Sequence, residues 1–481
     1  MNNNLIMNKL FHLVVLLVAA IGMQAQTAMS LNDCINYGLS NHPNIKVAEL
    51  QITEANWRIK ENTATGLPQV TAGLDYTGFI QRGGLPSGAL SFGASTDGPI
   101  TLPPIVSQQF TGEEIEALGA FLGAAFATDP DSKIFFSPVH SIGGKLSANQ
   151  LIFSNSYRLA KRAANFYRDL VNVQLDVAKR TLRDQIIDAY LPALMIDENL
   201  QTIDKNAGNL EKLLAETKEI NKAGFVEQLD VDRIELALST LRSERENLAR
   251  QREIVVDALK LTMGMPIGDK IALNDNTEAL MVQYADADLT SAINFMNRPE
   301  YLNLLKGREL NQLQVGLYEK TWMPNVVGFL QWQGNAQSGF GEKGTATFND
   351  WYFIPSTVGG ITISSTLWDS GVNKAKRQRA LIAVQTIDEQ KRLLENAFTL
   401  ELEVARKQYL NAQDRVASQQ KNLDLAQKIY NTTQTKYKAG IGSSFELVQA
   451  EQGVFAAQQN VMTARFDLLK ARVAIRKALG N

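Results

Sequence analysis

The sequence predicts a mainly α-helical chain that contributes strands to a membrane β-barrel. Three observations carry this: a plan written twice, helical stripes too long for a compact core, and short alternating segments at matching places in both copies. Alternation with period two marks strands, whereas apolar residues recurring every three or four positions mark helices.

The chain opens with Lys9 and an apolar run over residues 10–21, followed by Met23-Gln24-Ala25. This reads as a secretory signal over residues 1–25, cut near Ala25, with Met7 as an alternative start. No later stretch reaches the roughly 18 apolar residues of a membrane helix. The formal charge of −2 gives no electrostatic case for nucleic acid. The single cysteine, Cys34, has no internal disulfide partner. A lipid attachment there is disfavoured, because Leu31-Asn32-Asp33 is not a small-residue lipobox, and a buried thiol is the better reading.

Internal repetition comes next, because a missed repeat corrupts every later inference. Cys34-Ile35-Asn36-Tyr37 with Asn41-His42-Pro43 recurs as Ala292-Ile293-Asn294-Phe295 with Asn297-Arg298-Pro299, and the pair Pro43 and Pro68 recurs at Pro299 and Pro324 with the same spacing. Ala223-Gly224 and Leu229-Asp230 match Ala439-Gly440 and Phe445-Glu446. Each copy reads helix, strand, strand, long helix, helix. The first copy is expected over 26–268, with strands about 69–80 and 144–154, a surface loop about 81–142 and a long helix about 156–222. The second covers 269–481, with strands about 325–334 and 358–368 and a long helix about 371–438.

In that last helix Leu394, Phe398, Leu402, Ala405, Tyr409, Ala412 and Val416 step by threes and fours. At 1.5 Å per residue it runs on the order of 100 Å. Gly440 and Gly442 are expected to stop the second long helix and Gly224 the first, where a residue must take positive φ. In the strands, Val70, Ala72, Leu74 and Tyr76 alternate with Thr71, Gly73, Asp75 and Thr77. Val326, Gly328, Leu330 and Trp332 repeat the apolar face, and Leu146, Ala148, Gln150, Ile152 and Ile361, Ile363, Ser365, Leu367 follow on the returning strands. An open sheet in lipid leaves edge amides unpaired at several kcal/mol each. If the strands lie in lipid, several chains must pool them, giving about eight for two chains or about twelve for three, whereas a soluble sandwich would escape that requirement.

These residues resemble the TolC-like outer-membrane efflux proteins over nearly all of the mature chain. The carriers are Leu31-Asn32-Asp33-Cys34-Ile35-Asn36 with Asn41-His42-Pro43, Leu67-Pro68-Gln69-Val70, Leu367-Trp368-Asp369-Ser370-Gly371, and above all the run from Tyr437-Lys438-Ala439-Gly440 through Ile441-Gly442-Ser443-Ser444 to Phe445-Glu446-Leu447. The resemblance implies a homotrimer in outer-membrane lipid, about twelve strands closing one barrel continued by a periplasmic α-barrel tunnel of equally many helices. It further implies a periplasmic adaptor, an inner-membrane transporter, and no cofactor.

The resemblance places a periplasmic gate at Glu446, Gln449 and Asp230, where acidic side chains ring the entrance and favour cations. Gln449 departs from the doubly acidic pattern, and Gly442 stands where well-known members carry arginine. Adaptor docking is expected at the turns, through Gly224, Phe225, Tyr437, Gly440, Ile441 and Gly442. The bland alternative for all of these is a solvated hairpin end.

An enzyme reading fails on inventory: His12, His42 and His140 form no pair with metal spacing, and Gly83-Gly84 lacks a phosphate-binding frame. Two alternatives remain open: a duct for secreted polypeptides, and a structural coiled-coil protein of the envelope. The coiled coil leaves the paired amphipathic strands unexplained.

Overall fold

A computed structural model describes residues 27–80, 84–86, 133–135, 138–285, 290–338 and 351–480. The expected signal at 1–25 and most of the expected loop at 81–142 lie outside the described residues. The first half runs β1 (Thr27–Met29), α1 (Leu31–Asn41), α2 (Pro43–Ala64), β2 (Gln69–Gly78), β3 (Gly84–Pro86), β4 (Lys133–Phe135), β5 (His140–Phe153), α3 (Asn155–Lys222) and α4 (Gln228–Met263). The second half runs β6 (Ile271–Leu273), α5 (Thr277–Gln283), α6 (Pro299–Glu319), β7 (Asn325–Ser338), β8 (Trp351–Ser364), α7 (Val372–Lys438) and α8 (Ser444–Leu479). Two compact units divide the chain: Met1–Ile59 with Arg162–Gly316 and Lys374–Asn481, and Lys60–Lys161 with Leu317–Asn373.

The second unit is built on an antiparallel four-stranded sheet in the order β2-β5-β7-β8. Its register settles what alternation in a single strand leaves open, namely whether apolar positions line up across strands. Val70, Leu74 and Tyr76 sit opposite Ala148, Gly144 and Ile142, which in turn sit opposite Leu330, Gly334 and Ala336. Leu146 meets Trp332, while Ile361 and Ile363 meet Gly328 and Val326. The other face lines up Thr71, Ser147 and Gln331, then Gly73, Lys145, Gln333 and Ser356, so one side is apolar and the other polar. On the polar side Gln333 donates to Asn335 at 3.2 Å. β2 is exposed from end to end and β8 at every residue after the half-buried Trp351, and within this sheet each pairs on one side only.

Several strand boundaries differ from the periodicity reading. β5 begins at His140, β7 extends to Ser338, and β8 spans Trp351–Ser364 instead of about 358–368. The cause is pairing. β7 and β8 match residue for residue from Ser338 opposite Trp351 to Asn325 opposite Ser364. Ser365 and Leu367 therefore continue the alternation past the last partner, and Ser365 turns its hydroxyl to the Trp322 carbonyl at 2.7 Å.

Each long helix starts on a side-chain cap. The Ser154 hydroxyl accepts the Tyr157 N–H at 3.3 Å at the head of α3. Asp369 accepts the N–H groups of Gly371 and Asn373 at 3.0 and 2.7 Å before α7. These caps satisfy amides that a helix start leaves orphaned. With 68 and 67 residues, α3 and α7 each extend on the order of 100 Å at ~1.5 Å per residue. Among the described residues, no helix is long and apolar enough to cross a membrane.

The largest core of the first unit gathers Leu31 and Cys34 of α1, Ile186 and Tyr190 of α3, Leu259 and Met263 of α4, and Leu469 of α8. β1 joins β6 in a parallel pair beside it. Buried polar atoms there are matched: Asp275 accepts the Leu31 N–H at 2.7 Å and the Tyr190 hydroxyl at 3.0 Å. Burial, reinforced by Asp33 and Asp275, pushes the Cys34 thiol up to about 12, the signature of an inert core cysteine.

Candidate functional site: the paired helical turns

The turns from α3 to α4 and from α7 to α8 share one backbone design. In the first, the Gly224 N–H donates to Asn221 O at 2.9 Å and the Phe225 N–H to Ile220 O at 3.1 Å. In the second, Gly440 donates to Tyr437 O at 3.0 Å and Ile441 to Lys436 O at 3.1 Å. This is the Schellman closure of a helix, which needs a left-handed residue, and Gly224 and Gly440 supply φ of 79° and 75°. Gly442 has a different reason to be glycine. A Cβ there would lie 2.8 Å from the Tyr437 backbone nitrogen and 3.1 Å from the Lys436 carbonyl carbon. The turn as folded has no room for the arginine that the family resemblance would have placed at this position.

Side chains knit the two turns together. The buried Ser444 hydroxyl donates to Asp230, whose other carboxylate oxygen accepts the Glu227 N–H at 3.3 Å. Lys438 lies 3.8 Å from Glu216, and the guanidinium of Arg233 lies 5.6 Å from the Phe445 ring. Beneath them Leu210, Leu213, Ile234, Leu238, Tyr437 and Leu447 form a small core. Tyr437 is 8% exposed, with its hydroxyl 3.4 Å from that of Thr217, so it packs inside instead of offering a surface. Phe225 and Ile441 do the opposite, at 82% and 79% exposed.

The three expected gate residues are not alike. Glu446 and Gln449 are exposed in the first turns of α8, while Asp230 is engaged on both carboxylate oxygens. Two residues escaped the sequence reading. Ser444 is the partner of Asp230, a contact no local pattern announces. Glu451 falls on the stripe Ser444, Leu447, Val454 of α8, and one of its carboxylate oxygens is buried without a hydrogen-bond partner. Its position on an apolar stripe was the available signal. Among the described residues, no group of three His, Cys, Asp or Glu could hold a metal ion.

Among the described residues, the sheet is two-faced with each outer strand paired on one side only, and the chain's two long helices each run on the order of 100 Å. Residues 296–481 match the model of the outer membrane efflux protein family. Nodulation protein T of Rhizobium leguminosarum bv. trifolii is 22% identical over 354 residues, which cover 70% of this chain and 71% of that protein. The pyoverdine export outer membrane protein OpmQ of Pseudomonas aeruginosa is 21% identical, over 63% of this chain and 61% of its own length. The crystal structure of the outer membrane protein VceC of Vibrio cholerae superposes with a TM-score of 0.62 at 14% identity, covering 94% of this chain and 96% of that one. The second half of the chain thus resembles the outer membrane efflux proteins in sequence, and the fold over 94% of the chain is that of VceC. Another solved structure of this fold, with a TM-score of 0.62 at 16% identity over 94% of this chain and 89% of that one, is the outer-membrane channel OprN.

Proposed function

We propose that three copies of this chain assemble into the outer-membrane duct of a tripartite export system, working with a periplasmic adaptor and an inner-membrane transporter. The observation that carries the reading is the four-stranded sheet, apolar on one face and polar on the other, with both outer edges unpaired. An edge exposed to lipid costs several kcal/mol per unmatched amide, so the edges must meet other copies. Three copies supply about twelve strands, within the range of membrane barrels. The duplicated order of strands and helices, with the copies at 26–268 and 269–481, is part of the proposal.

In this reading the apolar face contacts lipid and the polar face lines water. The helices form the periplasmic body, and the paired turns are its entrance. Glu446 is the exposed carboxylate that biases passage toward cations, with Gln449 a neutral neighbour. Phe225 and Ile441 are the docking side chains for the adaptor, held by Gly224, Gly440 and Gly442, with Tyr437 bracing them from within. The chain performs no chemistry and needs no cofactor; energy enters at the transporter. The cargo class is small molecules, as the name of the pyoverdine exporter illustrates for that relative.

Single-channel recording in planar bilayers, with mass measurement in detergent, tests this. Discrete conductance steps from a trimer are expected. A silent monomer would return the chain to the coiled-coil reading.

A further inference from the structure

Between α3, α4 and α8, inside the helical unit, lies a cavity of about 190 Å³. Its floor is the buried pair Asn206 and Leu210, its sides include Leu241, Val448 and Phe455, and Glu244 stands exposed at its rim. Glu451 also lines it, with a carboxylate oxygen that is fully buried and unpartnered. An unmatched buried carboxylate is costly, and no basic side chain lines this cavity to offset it. The Asn206 amide nitrogen is already committed to Gln458 at 2.8 Å. From α7, Tyr430 faces the same region, its phenol pushed up by burial and then by Glu451 and Glu216. Every titratable group named here is acidic, so what is missing is a cation. The predominantly apolar walls favour one that carries carbon over a hydrated metal ion.

We propose that this cavity binds a compact organic monocation, an ammonium or guanidinium group on a small apolar body, with the charge against Glu451 and the body among Leu210, Leu241, Val448 and Phe455. A carboxylate that holds its proton in the empty site gives it up to an incoming cation, so binding strengthens with rising pH. Glu244 at the rim adds a second, solvated negative charge. The site lies in the helical wall and does not depend on conduction, which is recorded separately and can succeed or fail without it.

The full-length channel in an amine-free phosphate buffer is titrated with cyclohexylammonium and with neutral cyclohexanol, read by thermal unfolding and by ligand-observed NMR. Expected is saturable binding of the ammonium, at least tenfold tighter than the alcohol and at least tenfold weaker at pH 5 than at pH 8. Glu451→Gln should lose at least tenfold in ammonium affinity. Phe455→Trp fills the space and should remove binding of both probes while the channel keeps its mass in detergent. Equal binding of ion and alcohol overturns the proposal, as does ammonium binding retained by either variant, or no saturable binding by the unaltered chain.

Discussion

Glu451 makes a measurable demand on stability, because ionising it in the folded chain works against its burial. Burial pushes its carboxyl from the ordinary 4.5 to about 7. At ~1.4 kcal/mol for each factor of ten in the protonation constant, that gap corresponds to roughly 3 kcal/mol per chain. The folded form keeps its proton where the unfolded form has lost it. Stability from this group is therefore intact below about 4.5 and falls as pH rises toward about 7, where the loss levels off. Glu451→Gln keeps the shape and removes the titration. The variant should match the parent near pH 4.5 and exceed it by as much as ~3 kcal/mol at pH 8, as read from unfolding midpoints across pH in detergent and phosphate. Asp184, also raised mainly by burial despite Lys477 at 3.1 Å, adds a slope of its own. It contributes equally to both proteins, so their difference isolates Glu451. Amine buffers are avoided because a bound ammonium would mask the penalty. A difference that stays constant from pH 5 to pH 8, or a less stable variant at pH 8, would refute the argument.

Other outcomes follow from the turns and the core. Gly440→Ala forces a Cβ into left-handed backbone and should lower stability by about 1–2 kcal/mol. Gly453→Ala, in the interior of α8 with open space around it, should raise stability by about 1 kcal/mol in the same unfolding assay. Cys34 should resist iodoacetamide at pH 8 in the folded channel and react after denaturation; ready modification of the native protein would contradict its burial. Ser444→Ala removes the hydroxyl that donates to Asp230 and should raise conductance by loosening the paired turns, whereas an unchanged step size would detach that contact from gating. Glu446→Gln should lower cation selectivity, seen as a shifted reversal potential in a salt gradient, and an unmoved potential would dismiss its gate role.

Much of the fold was legible because its signals are periodic and local. The stripe through Phe398, Leu402, Ala405 and Ala412 buries those residues along α7, and alternation from Val70 to Tyr76 gives one side of β2. Where the signal continues beyond its cause, the sequence misleads. Ser365 and Leu367 keep the alternation of β8, but a strand ends when its partner does, and β7 begins at Asn325. Tyr437 shows a different limit: the resemblance set it among the docking residues of the turn, yet it closes the apolar stripe of α7 and packs into the core around Leu447.

The two turns show how far a repeated pattern can be trusted. Asp230 and Glu446 occupy the same place after Gly224 and Gly440, and nothing in the local pattern separates them as expected gate acids. The difference lies three residues earlier. In the first turn the residue before α4 is Glu227, and its amide is met by Asp230, which also accepts from Ser444. In the second the residue before α8 is Ser443, whose own hydroxyl accepts the Phe445 N–H at 3.1 Å. A helix start needs acceptors for its free amides. Ser443 supplies one from its own side chain, which leaves Glu446 exposed, while Asp230 is held in the structure. The same backbone, written twice, thus assigns one carboxylate to holding the turns together and leaves the other exposed, as the proposed entrance role of Glu446 requires.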